Sequence, residues 1–182
     1  MSEKLIRVCI DPGHGGSDPG AVNGERYEKK ATLAIAKKVG TMLTEKGYLV
    51  RFTRNSDKYL SLAKRCEIAN NFDADCFVSI HLNAAENKKA QGFETWRYQT
   101  VGNTTKSLAA NVQKELIGAT GAVDRGVKQT TAFYVLKKTK APAVLVECGF
   151  ISHDEECKKL FSSSYQNKVA SGIVKGIVKT FS

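Results

Sequence analysis

The chain has 182 residues, and its 28 Lys and Arg against 18 Asp and Glu give a formal net charge of +10. Hydrophobic residues make up 42% of it, which is typical of one globular domain, here predicted over 1–182, that buries a core without disulfide or metal staples. No apolar run approaches the roughly 20 residues that a membrane-spanning helix needs, so a membrane protein and a disordered chain are excluded.

Apolar runs and alternating apolar and polar residues predict six strands. They span 5–10, 48–53, 76–82, 92–98, 133–136 and 143–148. Apolar stripes with helical spacing predict helices at 28–46, 61–72, 103–117 and from about residue 154 to the end. Ser61 is a predicted helix N-cap, and His153 is a predicted helix-start residue. Because strands alternate with helices, we expect an α/β fold: a three-layer αβα sandwich around a mostly parallel, roughly six-stranded twisted sheet.

The five cysteines are scattered and include no C-x-x-C pair, which predicts free thiols rather than a disulfide framework or a zinc ribbon. Several lie in apolar runs, where a thiol packs as a small hydrophobic group. We therefore expect a chain made in a reducing compartment. The basic excess favours an anionic partner. Since the lysines are spread along helices, solvated helix faces are the simpler explanation of this charge.

Residues that do chemistry follow three of the predicted strands. The first strand runs into His14 in a glycine-rich loop, the third ends at His81, and the last ends at Glu147. Sites in open α/β sheets form at the carboxyl ends of parallel strands, so these side chains are expected to converge. Two imidazoles and a carboxylate suit Zn²⁺ with an open position for water.

Each of these residues also has a structural explanation. His14 could be a loop residue whose glycine neighbours only make turns, and His81 could be a hydrogen-bonded core histidine. Glu147 is harder to explain in this way, because a carboxylate in an apolar strand is costly to bury without a cation. Cys148 could be a nucleophile, but its strand position favours packing. The glycine-rich loop matches no phosphate-binding pattern, so nucleotide binding is not expected.

The residues around these positions stand in short sequence blocks. They include Asp-Pro-Gly-His-Gly-Gly at 11–16, Thr-Arg at 53–54, Ser-Ile-His-Leu-Asn-Ala at 79–84, Gly-Phe-Glu at 92–94, Arg-Gly-Val at 125–127 and Pro-Ala-Val-Leu-Val-Glu-Cys-Gly-Phe at 142–150. These blocks resemble those of the zinc-dependent N-acetylmuramoyl-L-alanine amidases, the family of bacterial cell-wall amidases and many phage endolysins. They occur in the family's order and span nearly the whole chain.

The resemblance implies one zinc ion per chain, held by His14, Glu28 and His81, with Glu147 as the catalytic glutamate. The helical stripe agrees for Glu28, which precedes the inward positions 31 and 35 by three and seven residues. A carboxylate favoured by the helix dipole would suit Glu25 equally well, so Glu25 remains the alternative ligand. Arg125 and Asn83 are candidate substrate-binding residues, although Arg125 could also solvate a turn.

The implied reaction is hydrolysis of the amide between the lactyl group of N-acetylmuramic acid and L-alanine in peptidoglycan. Two alternatives stay open: a zinc carboxypeptidase-like peptidase acting on stem peptides, and a non-catalytic cell-wall-binding module. The expected partners are peptidoglycan and anionic wall polymers, with no nucleic acid and no membrane, and a monomer is expected. The first residues lack the apolar stretch of a secretory signal. We therefore expect synthesis in the cytoplasm and action on the wall after lysis or a holin-type lesion.

Overall fold

The computed structural model describes residues 5–182, so the first four residues of the predicted domain lie outside it. The strands are β1 (Arg7–Pro12), β2 (Val22–Asn23), β3 (Arg26–Tyr27), β4 (Leu49–Phe52), β5 (Cys76–Asn83), β6 (Phe93–Tyr98), β7 (Asp124–Thr130) and β8 (Ala143–Phe150). The helices are α1 (Glu28–Glu45), α2 (Leu62–Asn71), α3 (Asn103–Thr120), α4 (Tyr134–Lys138), α5 (Asp154–Leu160) and α6 (Ser163–Phe181). None of these helices is long and apolar enough to cross a bilayer.

Six strands form one sheet in the order β4-β1-β5-β8-β6-β7, and β2 and β3 form a separate hairpin. The first four strands of this order run parallel. β6 runs antiparallel to β8, and β7 runs parallel to β6. The predicted mostly parallel, six-stranded α/β fold is confirmed. The carboxyl ends of β1, β5 and β8 therefore lie at the same edge of the sheet as the amino ends of β6 and β7.

The sheet is covered on both faces. Helices α1, α3 and α6 pack on one face over Ile10, Ile80 and Val146, and α3 and α6 make the largest helix–helix contact in the described chain. The other face carries a smaller core around Phe77 and Leu145, covered by α2 and α4. Alternate residues of the central strands therefore enter two different cores, as expected for strands buried on both sides.

The structure differs from the predicted elements at three places. Residues 133–136 do not form a strand: Phe133 is the N-cap residue of α4, whose Val135 and Leu136 are buried. A four-residue apolar run fits a short helix as well as a strand, and only the packing decides between them. The sixth strand is β7, whose Asp-Arg-Gly-Val-Lys-Gln-Thr sequence is largely exposed and lacks an apolar alternation. The predicted C-terminal helix is also interrupted at Phe161–Ser162.

The predicted helix starts and the predicted thiols are confirmed. The Ser61 hydroxyl accepts a hydrogen bond from the Lys64 amide at 3.2 Å, and the His153 ring accepts one from the Glu156 amide at 3.3 Å. Both bonds satisfy amides that a helix leaves free in its first turn. All five cysteines are free and buried.

Candidate active site

Two histidines and a glutamate from three separate elements meet at the edge of the sheet. His14 follows β1, Glu28 opens α1, and His81 lies near the end of β5. His14 Nε2 and His81 Nδ1 each lie 3.1 Å from the same oxygen, Glu28 Oε1. One ligand atom from each residue lies within 4.8 Å of the others. The two histidines predicted to converge at the strand ends therefore meet here, and the carboxylate between them is that of Glu28. Glu147, the third residue of that prediction, lines the same groove.

The loop that carries His14 is held in an unusual backbone conformation. His14 has a φ of 61°, a left-handed value that is costly for a residue with a side chain. Asp18 Oδ2 accepts a hydrogen bond from His14 Nδ1 at 2.9 Å, which orients the ring with Nε2 toward Glu28. Gly13 packs against the other histidine, because a Cβ there would lie 2.4 Å from the His81 ring. The sequence Gly13-His14 thus brings the two imidazoles together.

Two buried arginines support this loop from behind. Arg65 donates to the carboxylate of Asp11 at 2.8 Å and to the His14 carbonyl at 2.8 Å. Arg54 donates to the Pro12 carbonyl at 3.0 Å. All three charged side chains are almost fully buried. Removing one would leave its partners unpaired in the interior, which is strongly destabilising. No sequence pattern points to Arg65, whereas Arg54 lies in one of the family-like blocks.

Glu28 is buried and fully hydrogen-bonded. Its Oε2 accepts from the Ala21 amide at 2.9 Å, and its Oε1 accepts from the Leu82 amide at 2.9 Å. Burial opposes ionisation of this carboxyl, but hydrogen bonds to His14 and His81 outweigh it and hold the pKa of Glu28 well below its usual range. The alternative ligand, Glu25, lies exposed at the turn of the β2–β3 hairpin and outside the cluster. Of the two glutamates, Glu28 is the one that lies beside the histidines.

Glu147 lies beside this cluster on β8, in register with His81 on β5. Its Oε2 is buried and has no hydrogen-bond partner within residues 5–182. Burial raises the pKa of Glu147 to about 7, assisted by the nearby carboxylates of Glu28 and Glu94 and opposed by His81. A buried carboxylate oxygen without a partner weakens the fold, so it indicates a group kept for a purpose other than stability.

A groove of about 350 Å³ opens over His14, His81 and Glu147. Its lining also includes Tyr59, in the loop before α2, and Tyr134, at the start of α4. The exposed fractions of these two residues are 57% and 39%, which is high for large apolar side chains. The reactive groups therefore lie at the base of an open groove with an apolar, aromatic rim.

Comparison with known proteins gives a match to one family over almost the whole chain. Residues 8–179 match the family model described as N-acetylmuramoyl-L-alanine amidase. The chain belongs to this amidase family. The match confirms the predicted activity: the protein is a hydrolase, an N-acetylmuramoyl-L-alanine amidase acting on peptidoglycan.

Individual relatives agree with this assignment. The amidase is 40% identical to the sporulation-specific N-acetylmuramoyl-L-alanine amidase of Bacillus subtilis over 179 residues, covering 97% of this chain and 69% of the relative. It is 40% identical to the endolysin of Bacillus phage SPP1, covering 94% of this chain and 65% of the relative. The crystal structure of an amidase from Clostridium difficile 630 superposes with a TM-score of 0.93 at 40% identity, covering 97% of each chain.

The cluster in this amidase fits a metal ion by the chemistry of its donors. Two imidazole nitrogens and one carboxylate oxygen form a donor set that catalytic zinc sites use, with the fourth position left for water or substrate. The 3.1 Å between each ring nitrogen and Glu28 Oε1 is close to the separation of about 3.4 Å between ligands of a tetrahedral zinc ion. Asp18 on the second nitrogen of His14 supplies the outer hydrogen bond typical of metal-binding histidines.

The two predicted substrate-binding residues of the amidase meet at a third residue that sequence reasoning missed. Glu94 on β6 is only 5% exposed. Its Oε1 accepts from Asn83 Nδ2 and from Trp96 Nε1, each at 3.0 Å, and its Oε2 accepts from Arg125 Nε at 2.9 Å. The only signal for Glu94 in the sequence was its place in the Gly-Phe-Glu block.

Cys148 is packed away from the groove. It is fully buried in the core under α1, α3 and α6, and burial raises the pKa of its thiol well above the usual value. A thiol without access to the groove or to water does not act as a nucleophile. The interpretation of Cys148 as a packing residue is therefore supported over the nucleophilic one.

Proposed function

We propose that this amidase uses one zinc ion held by His14, Glu28 and His81, with Glu147 as general base and acid, to cleave the amide between the lactyl group of N-acetylmuramic acid and L-alanine. The observation that carries the proposal is the placement of Glu147. Glu147 lies on β8, in register with His81 on the neighbouring strand β5, and lines the base of the groove. Its Oε2 has no hydrogen-bond partner within residues 5–182.

When bound, zinc would polarise the amide carbonyl and lower the pKa of a water molecule at the site. Glu147 accepts the proton of the attacking water at its carboxylate and then donates it to the departing nitrogen of L-alanine. A carboxyl group with a raised pKa suits both steps, because it must gain and lose the proton near neutral pH. Asp18 accepts a hydrogen bond from the second ring nitrogen of His14, which fixes that ring with Nε2 toward the metal position.

The reaction is tested by digesting purified peptidoglycan and analysing both kinds of new chain end. We expect free amino termini of L-alanine and no new reducing sugar ends. Release of terminal amino acids with the lactyl amide intact would favour the zinc carboxypeptidase-like alternative. Binding to walls without any new ends would favour a wall-binding module.

A second proposal concerns how the amidase reaches and binds the cell wall. We propose that it works as a monomer and that its +10 charge attracts anionic wall polymers. We also propose that it is made in the cytoplasm and reaches the wall after release. The five buried free thiols support folding in a reducing compartment. Light scattering at micromolar protein concentration should give the mass of one chain. Fractionation of cells should find the protein in the cytoplasm before lysis and on the wall after it.

A further inference from the structure

Four neighbouring strands each contribute one side chain to a continuous row that starts at the metal cluster. His81 on β5 is the register partner of Glu147 on β8, which is the register partner of Glu94 on β6. Glu94 in turn binds Arg125 on β7. Register partners in a sheet have Cα atoms about 4.5–5.5 Å apart, so the row leads directly from the reacting groups to the edge of the sheet.

Glu94 is the most heavily hydrogen-bonded residue of this row. It is almost fully buried, and its two oxygens accept three hydrogen bonds from three different segments: Asn83, Trp96 and Arg125. A buried carboxylate is tolerated only when it is paired and hydrogen-bonded, and the same bonds fix the orientation of its partners. Neither Glu94 nor Arg125 lines the groove over His14, His81 and Glu147. Arg125 lies farther along the row, on the edge strand β7, and the buried Glu94 acts through the residues that it holds.

Arg125 is held on one side and open on the other. Its guanidinium lies over the Phe150 ring at 4.9 Å, and its Nε donates to Glu94. Nη1 makes only a long contact of 3.5 Å with the Gln91 carbonyl, and Nη2 has no hydrogen-bond partner within residues 5–182. The side chain remains 39% exposed. An arginine fixed in this way presents its outer nitrogens as a preformed fork for a carboxylate.

The two halves of the substrate differ in charge. Once the lactyl carboxyl is part of the amide, the sugar side of the scissile bond is uncharged, whereas the peptide side carries free carboxylates. We propose that Glu94 is a positioning residue that holds Arg125 to bind a carboxylate of the stem peptide, so that the peptide side of the substrate lies toward β7. This inference rests on the proposed amide cleavage between the lactyl group and L-alanine.

The test uses two soluble muropeptides that differ only in whether the carboxylate of the residue after L-alanine is free or amidated. We expect the wild-type protein to prefer the free carboxylate about tenfold in kcat/KM, through a lower KM, which is the size of one charge-assisted hydrogen bond. Glu94→Gln keeps the size of the side chain but loses the charge that holds Arg125. We expect its preference to fall close to one, and Arg125→Ala to give the same result.

The ratio between the two substrates separates positioning from general damage, because a loss of folded or zinc-loaded protein lowers both rates equally. Lys128→Ala is the matched control, since it removes an exposed positive charge from the same strand and should keep the preference. A wild-type protein that does not distinguish the two substrates would overturn the inference. A Glu94→Gln variant that keeps the full preference would also overturn it. If Glu94→Gln does not fold, Arg125→Ala still tests the inference, because Arg125 is partly exposed and its loss should be tolerated. A preference for the free carboxylate that survives without Arg125 would overturn the inference. If neither substrate is cleaved, the proposed function itself has failed.

Discussion

The two faces of the sheet are built from different chemistry. Under α1, α3 and α6, the strands β1, β5 and β8 pack apolar side chains, with Ile80 and Val146 fully buried. The buried Thr95 of β6 adds one polar contact on this face, a hydrogen bond to Gln113 of α3 at 2.8 Å. On the face under α2 and α4, the same strands carry buried or partly buried charges, among them Asp11 and Glu147. One strand serves both purposes, because Val146 and Glu147 are consecutive residues of β8. The reacting groups therefore lie on one face of the sheet and the larger apolar core on the other, so substitutions should separate their effects.

The largest effect is expected from a metal ligand on the charged face. His81→Ala should lose zinc and amidase activity together, because it removes one of three donors from a site that leaves the fourth position open. Metal analysis after dialysis and a wall-lysis assay measure the two losses. His153→Ala is the matched control: this histidine caps α5 outside the cluster, so zinc and activity should remain. Stoichiometric zinc in His81→Ala would contradict the ligand assignment.

The second largest effect is expected at Glu147, and it distinguishes the proposed general base from the proposed zinc ligands. Glu147→Gln should keep zinc but lower kcat by about 10²–10⁴-fold, the usual contribution of a positioned general acid or base. The melting temperature should stay level or rise, because an uncharged amide costs less to bury than a carboxylate whose Oε2 has no partner within residues 5–182. Glu155→Gln, on an exposed position of α5, controls for the loss of a negative charge. If Glu147→Gln empties the site of metal, the roles of Glu28 and Glu147 are wrongly assigned.

The opposite result is expected on the apolar face. Ile173 on α6 is fully buried in the core between the helices and the sheet. Ile173→Ala should lower the free energy of unfolding by about 2–5 kcal/mol, through lost burial and the cavity left behind. Well below the melting temperature, kcat and zinc content should match the wild type. Denaturant unfolding and steady-state kinetics on the same preparation check both statements. A fall in kcat without unfolding would show that the two faces are coupled.

The same division explains which parts of the fold could be predicted. The central strands, such as 76–82 and 143–148, are continuous apolar runs because both of their faces are buried, so the sequence marks them clearly. The edge strand β7 is largely exposed and carries no apolar pattern, so it was missed. Residues 133–136 were assigned to a strand because four apolar residues do not distinguish a helix from a strand.

The site was predictable only as far as its residues lie at strand ends or in family-like blocks. His14, His81 and Glu147 follow apolar runs, which placed them at one edge of the sheet. The choice between Glu25 and Glu28 depends on the β2–β3 hairpin. Because β3 ends at Tyr27, α1 begins at Glu28, whereas Glu25 lies in the turn of the hairpin. The contacts of Glu94 join strands far apart in the chain, and no local pattern reports such partners.

The smallest effect concerns the outer surface of the apolar face, where α1 and α6 expose lysines such as Lys37 and Lys175. If charge attracts the protein to anionic wall polymers, binding to intact walls should fall steeply as the Debye length shortens from about 10 Å at 0.1 M salt to about 3 Å at 1 M. Hydrolysis of a small muropeptide should change little over this range, because the groove and its buried groups are screened much less than exposed lysines. Reversing both charges, with Lys37→Glu and Lys175→Glu, should weaken wall binding at 0.1 M and flatten its salt dependence while leaving muropeptide hydrolysis intact. Salt-insensitive wall binding by the wild type would show that a specific recognition site, rather than the net charge, holds the enzyme on the wall.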